Sequence, residues 1–371
     1  MIGMVDSVHL GRWLEHFEDS EHEFFIFPSS PHRKIHPKVQ GLVKREPSRF
    51  KIPMLMRYMA LPFWLLDRIF DNWLRGTLLA VYSLGFRPQL VHALEFQNAG
   101  YVFLKARRAN SSLADTRLLL TPYGSDMYWY MRFSNHERIL RKLLESATAM
   151  SCECQRDEKL ATSLGFKGQF MPRVPAFGNI EVDEGMHDRV RNKIMVKGYQ
   201  NKWGQASNAI KSLKLAAPYL KDLEIHFFSC NLSTIWRARK LAWETGLKVM
   251  TYPKGNLGHD EMQNLFATSL MYIGLSKSDG ISASMVEAMA GGAIPIQSNT
   301  SCCEEWMKDG EGGHLVDFDD VPTIVRHIID LATSRDKVDR AREKNYSDLL
   351  RNLEPSKTKR AVQATYAKLE D

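Results

Sequence analysis

Cysteine is scarce in this chain: Cys152, Cys154, Cys230, Cys302 and Cys303 are the five among 371 residues, with no CxxC pair and no histidine at metal-ligand spacing. That absence disfavours a zinc site and a disulfide framework, and a reduced chain is the simple expectation. Long hydrophobic runs are missing too. No stretch reaches the ~18 uninterrupted apolar residues of a spanning helix. The N-terminus MIGMVDSVHLGRWLEHF has no basic region followed by a long apolar one, so neither a leader nor an integral anchor is expected. Net negative charge is also absent. The formal charge of +7 calls for an anionic partner: nucleic acid, an anionic membrane surface or a phosphorylated small molecule. No recognition motif accompanies the basic residues, which disfavours nucleic acid. The turn DSVHLGRW lacks GxGxxG, which disfavours a nicotinamide dehydrogenase.

What is present is the apolar content of a globular protein, 44%, and enough length for two domains. Short apolar runs alternate with helical patterns. In the first half FFIFP (Phe24 to Pro28), LVHAL (Leu90 to Leu94), RLLLTP (Arg117 to Pro122) and GQFMP (Gly168 to Pro172) read as strands. In the second half KIMVKG (Lys193 to Gly198), LEIHFFSC (Leu223 to Cys230), LKVMTYP (Leu247 to Pro253), LMYIGL (Leu270 to Leu275) and AIPIQS (Ala293 to Ser298) do the same. This alternation predicts an α/β fold with two parallel sheets, each covered by helices. Prolines, glycines and acids mix in Met171 to Gly185, where we expect the hinge. The expected domains are 1–175, 176–345 and a helical tail, 346–371, packing back towards the first. Ligands of such sheets gather at the carboxyl ends of the strands, here across one cleft between the domains.

The most informative stretch is SKSDGISASMVEAMAGGAIPIQS, Ser276 to Ser298. Ile281, Ser284, Met285, Ala288 and Met289 fall three and four apart, the spacing of one helical face, with Ser282 as N-cap and Gly291 or Gly292 as stop. Such a helix aims its unpaired N–H groups at Asp279-Gly280-Ile281, the geometry of an anion site. Glu287 lies among small and apolar neighbours, where a carboxylate needs a partner.

These residues, with DGEGGHLVD (Asp309 to Asp317) downstream, resemble the signature of family-4 retaining glycosyltransferases of the GT-B fold, in which two Rossmann-like domains face a cleft. In that family an acidic residue and a glutamate are separated by seven others; here they are Asp279 and Glu287, the first commonly Glu in the family. The segments SVHLGRWLE, LVHALEFQNAGY and TPYGSDMY look like strand-end loops of the same fold. The resemblance implies that Glu287 binds the ribose of a nucleotide sugar, that the amides around Gly280, Ile281 and Ser282 hold the donor phosphates, and that Asp279 meets a hydroxyl of the transferred sugar. The family places an Arg and a Lys after the first strand of the second domain; here VKGYQNKWGQA has Tyr199 at the Arg position, leaving Lys197, beside Gly198, and Lys202 as cations. Lys202 is expected to stabilise the leaving diphosphate, without the bidentate fork of an arginine.

Asp126 in YGSDMY follows a strand and is a candidate to orient the acceptor hydroxyl, yet Ser-Asp before a helix is equally an N-cap. Glu95 and His92, in VHALEFQ, lie at another strand end and are candidates for the same task and for acceptor binding; a strand-end His is otherwise a packing residue. VDFDD, Val316 to Asp320, contains Asp-x-Asp, read as helix capping rather than a metal site. No metal and no cofactor is expected. Between Arg33 and Arg57 eight Lys and Arg face one acid, Glu46, and the run leads into ALPFWLLDRIFDNWLRGTLLAVY, so 33–75 is a candidate surface for an anionic bilayer, or else a solvated loop and a core helix.

The expectation is a hexosyltransferase-type retaining glycosyltransferase. It would be cytoplasmic or peripheral at the inner membrane face, moving a sugar from UDP or GDP to a saccharide or lipid-linked acceptor in surface polysaccharide or glycolipid assembly. The alternatives are a catalytically silent module of the same fold that binds glycan or tethers at a membrane, and a sugar-nucleotide epimerase or phosphorylase.

Overall fold

The computed structural model describes residues 1–30, 34–53, 55, 60–175, 180, 182, 189–300, 302–353 and 355–369. Much of the expected hinge, with the 175/176 boundary, lies outside the described residues, as do Arg33 and Arg57 at the ends of the basic run. The chain divides into two compact units, one formed by 1–179 with 355–371 and the other by 180–354.

The first unit holds a six-stranded parallel sheet in the order Phe27–Pro28, Ile2–Gly3, Leu90–Leu94, Arg117–Thr121, Ala149–Met150, Gln169–Phe170. Parallel strands buried on both faces read as continuous apolar runs, and the period of two then sorts alternate residues to opposite cores. In Arg117–Thr121, Leu118 and Leu120 pack with Val91, Phe103 and Leu143, while Leu119 packs with Leu94, Trp13 and Phe17 on the other side. That second core is completed from the far end of the chain. Val362, Tyr366 and Leu369, from or just beyond helix Pro355–Ala367, lie in it beside Phe17 and Phe24. The expected strand Phe24 to Pro28 is split: Phe27–Pro28 joins the main sheet, while Phe24–Phe25 pairs in parallel with Phe50–Lys51 in a separate two-stranded sheet.

The second unit holds six parallel strands in the order Lys248–Pro253, Glu224–Cys230, Lys193–Lys197, Ser269–Gly274, Ile294–Ser298, His314–Val316. Numbered within the unit this is 3-2-1-4-5-6, the doubly wound order whose switch point lies between the first and fourth strands. Ile194, Val196, Met271, Ile273, Ile294 and Ile296 share one core with helices Ala206–Ala216 and Val321–Thr333. Asp320, the last residue of the Asp-x-Asp stretch, caps Val321–Thr333 by accepting the Thr323 N–H at 3.1 Å. Helix Arg335–Asn352 runs on through position 345, and the return to the first unit comes only at 355.

Candidate active site

The strand order of the second unit sets Lys193–Lys197 against Ser269–Gly274, and the loops leaving their carboxyl ends are stitched together. The Lys277 N–H donates to the Trp203 carbonyl at 2.9 Å, the Gln205 N–H donates to the Leu275 carbonyl at 3.0 Å, and Gly204 forms an isolated antiparallel bridge with Ser276. Only glycine fits at 204, because a Cβ there would lie 2.4 Å from Tyr199 Cβ and 2.5 Å from its carbonyl oxygen. Beneath the loop, the Ser276 N–H donates to Ser298 Oγ at 3.0 Å and the Thr300 hydroxyl donates to the Ser276 carbonyl. Two loops far apart in sequence, 203–205 and 275–277, thereby become one surface.

Lys197, the last residue of its strand, donates from Nζ to Asp279 Oδ2 at 3.1 Å. Burial works to lower the Lys197 pKa, but the neighbouring Asp279 carboxylate and the Tyr272 and Tyr199 phenols outweigh it, so the pKa stands raised and the ammonium keeps its proton at neutral pH. The other carboxylate oxygen of Asp279, Oδ1, accepts the Gly280 N–H at 3.0 Å. Gly280, Ile281 and Ser282 are buried and lead into helix Ala283–Ala290. Ser282 has extended N-cap geometry, and its own side chain makes no capping hydrogen bond. The helix closes at Gly291, and Gly292, at φ +86°, turns the chain into strand Ile294–Ser298. Along the helix Met285, Val286, Ala288 and Met289 face the core, while Ser284 and Glu287, three apart, stay half-buried on one side. The Tyr272 hydroxyl reaches Ser284 Oγ at 2.9 Å. Lys202 is exposed, its Nζ 4.6 Å from the centre of the Trp203 ring. Gly198 allows close packing, since a Cβ would meet Cys230 Sγ and the Phe228 carbonyl, each at 2.6 Å. The structure therefore brings Lys197, Gly198, Asp279, Gly280, Ile281 and Ser282 together, with Glu287 on the helix they open and Lys202 on the adjoining loop.

The strand-end residues of the first unit are built differently. Glu95 follows strand Leu90–Leu94 at φ 74°, ψ 155°, a region costly for any residue but glycine. Its carboxylate holds that bend by accepting the Ala99 N–H at 2.7 Å and the Asn98 N–H at 3.0 Å. Asp126 Oδ2 accepts the Tyr123 N–H at 2.8 Å and the Phe96 N–H at 3.0 Å, tying the loop after Arg117–Thr121 to the turn that Glu95 caps. Burial pushes the Asp126 carboxyl well above the usual carboxylate range, and the charge of Glu95 adds to the shift. Burial also raises Glu95, against the pull of its N–H donors. His92 is buried, with Nδ1 2.6 Å from the Tyr366 hydroxyl and Nε2 2.8 Å from Thr121 Oγ1. Both ring nitrogens are spent inside the unit. Sequence reading missed the Lys197–Asp279 pairing and the Ser276–Ser298–Thr300 support. The strand order supplies the signal for the first, because residues after the first and fourth strands of a doubly wound sheet are neighbours.

Residues 236–348 match the model of the family described as glycosyl transferases group 1. No curated protein matches the sequence significantly. Among solved structures, Anabaena HepE in complex with UDP and glucose superposes with a TM-score of 0.69 at 11% identity, covering 99% of each chain. Sucrose-phosphate synthase from Thermosynechococcus elongatus superposes with a TM-score of 0.70 at 13% identity, over 99% of this chain and 98% of that one. A TarM mutant from S. aureus, bound to fondaparinux, α-GlcNAc-glycerol and UDP, gives 0.62 at 11% identity; the match covers 79% of this chain and 58% of TarM. The fold is GT-B. The family match together with this fold supports a glycosyltransferase.

Proposed function

We propose that this chain transfers a sugar, with retention of anomeric configuration, from a nucleoside diphosphate sugar to a hydroxyl of a saccharide or lipid-linked acceptor. The observation that carries the reading is the Lys197–Asp279 pair beside the start of helix Ala283–Ala290. In the transfer the bond from the anomeric carbon to the diphosphate oxygen breaks, its electron pair stays with the diphosphate, and the acceptor oxygen bonds to that carbon and gives up its proton. Negative charge grows on the leaving group, and fixed donors aimed at it lower the barrier. With the Gly280 N–H held by Asp279, the N–H groups of Ile281 and Ser282 and of the first turn of helix Ala283–Ala290 supply those donors, and Lys197 and Lys202 supply positive charge without a metal ion. Asp279, held by Lys197, accepts from a hydroxyl of the transferred sugar; Glu287, on the helix that follows, accepts from the ribose. UDP bound to HepE and to TarM favours UDP among the nucleotides.

On the acceptor side we assign Glu95 and Asp126 to the strand-end loops of the first unit, where their bonds to backbone N–H groups fix loop shape, and His92 to the packing beneath. Leu65, Leu66, Ile69, Phe70 and Trp73 stand exposed in the 60–86 region, which supports a lipid-linked acceptor reached at an anionic bilayer and a role in surface glycan assembly. No helix of the described residues is long and apolar enough to cross a membrane.

The test is calorimetric binding of UDP, GDP and ADP with EDTA present, followed by sugar transfer from the sugars of whichever nucleotide binds. Tight UDP binding and metal-independent nucleotide release are expected. Failure to bind any of the three would overturn the donor site and leave a glycan-binding module of the same fold.

A further inference from the structure

Away from the Asp279 loop, helix Leu232–Thr245 presents an outer face that the transfer reaction does not use. Its inner side is ordinary: Thr234, Ala238 and Leu241 are buried against the unit. Its outer side carries Leu232, 85% exposed, Trp236, 69% exposed, and Trp243, 85% exposed. At 3.6 residues per turn these three side chains fall within an arc of about 40° and span about 16 Å along the axis. An apolar line of this kind, with two tryptophans in water, leaves unmet a large free energy of burial.

The surroundings of the line are cationic. Across helices Ala206–Ala216 and Leu232–Thr245 the charged residues are Lys211, Lys214, Arg237, Arg239 and Lys240 against the single acid Glu244. Glu244 is already met by Lys214 at 2.9 Å and Lys240 at 3.8 Å. A groove of about 560 Å³ between the two helices is lined by Lys211, Lys214, Trp236, Arg237 and Lys240. Tryptophan sits at headgroup depth in bilayers, and Lys and Arg beside it attract anionic lipid. A second copy of the chain would set like charges against each other. A soluble anionic polymer would meet the basic groups but leave Leu232 in water.

We propose that the Leu232–Trp236–Trp243 face, with Arg239 and Lys240, docks onto an anionic lipid surface, as a contact separate from residues 33–75. The experiment uses the full chain carrying Trp243→Cys labelled with an environment-sensitive fluorophore. It is titrated with vesicles of phosphatidylglycerol in phosphatidylcholine, with phosphatidylcholine alone, and with soluble anionic polysaccharide. The expected result is a rise in emission with the anionic vesicles only, reversed by high salt. In unlabelled chain, Trp236→Ser with Trp243→Ser should weaken vesicle binding about tenfold, and Arg239→Gln or Lys240→Gln about fivefold each. Because these side chains are exposed, nucleotide binding should persist in every variant. Unchanged emission with anionic vesicles overturns the proposal. So does an equal response to polysaccharide, which makes the face a glycan site, or loss of a dimer in the double tryptophan variant, which makes it a self-contact.

Discussion

Asp279 and Glu287 both carry carboxylates, and the tasks proposed for them differ. Asp279 is clamped by Lys197 and by the Gly280 N–H, so Asp279→Asn removes the charge that holds the Lys197 ammonium in place while keeping the side chain's size. Turnover is expected to fall more than nucleotide affinity; the reverse pattern, read from kcat against calorimetric Kd, would reassign Asp279 to the nucleotide. Glu287→Gln should instead weaken nucleotide binding by about 1.5 to 3 kcal/mol, the worth of a hydrogen bond to a charged group. Unchanged donor affinity would exclude the ribose role. Asp126 gives a prediction of another sign. A carboxyl whose folded-state pKa is raised keeps its proton where the unfolded chain has lost it, so stability is lost as pH climbs above the ordinary carboxylate pKa. Asp126→Asn keeps an oxygen for the Tyr123 and Phe96 N–H groups and removes this cost. The variant should be at least as stable as the parent at pH 8 and should lose that part of its pH dependence, which urea titrations at pH 5 and pH 8 would measure.

Among the elements, those with a clear period were legible in the sequence. The runs read from Leu90, Arg117, Lys193, Leu223, Leu247, Leu270 and Ala293 all form strands, to within a residue at their starts, and Ser282 and Gly291 bound the helix between the last two. Strands Ile2–Gly3 and Ala149–Met150 were not, because two residues carry no period and, unlike Gln169–Phe170, these lie within no longer apolar run. Local geometry around one loop was legible; pairing across loops was not. The Lys197–Asp279 bridge joins positions 82 residues apart, and nothing local announces it. His92 shows the same limit from the other side: as a strand-end histidine it is open to a binding role, but its partner Tyr366 comes 274 residues later. Helix Pro355–Ala367 is thus a core element of the first unit. Tyr366→Phe should cost about 1 to 3 kcal/mol, the price of leaving a buried polar group unmet. Denaturation of the first unit would report it, and an unchanged midpoint would mean that the His92 bond contributes nothing.

Across the whole molecule, burial depresses the pKa of His16, His36, His92, His226, His314 and His327. The unfolded chain binds protons at the ordinary histidine value of about 6.5, where the folded chain refuses them, so stability falls as pH drops below that point. For His314 the loss continues down to about pH 4, where the folded ring titrates. These rings should therefore lower the urea midpoint between pH 7 and pH 5; because the raised Asp126 carboxyl works in the opposite sense, the fall is read in the Asp126→Asn variant, where a flat profile would show that the rings titrate normally in the fold. The two-unit division has a further consequence, in the timing of synthesis. The first unit is split in sequence, and its closing residues, Val362, Tyr366 and Leu369, are made after all of 180–354. A ribosome adding ~5–20 residues per second needs on the order of ten seconds or more to make the second unit. During that interval Trp13, Phe17 and Phe24 have no final cover, while the second unit, made in one continuous piece, is free to fold first. The order of maturation on the ribosome is thereby reversed: the unit begun first is finished last, and its nascent aromatic surface is the natural client of a chaperone.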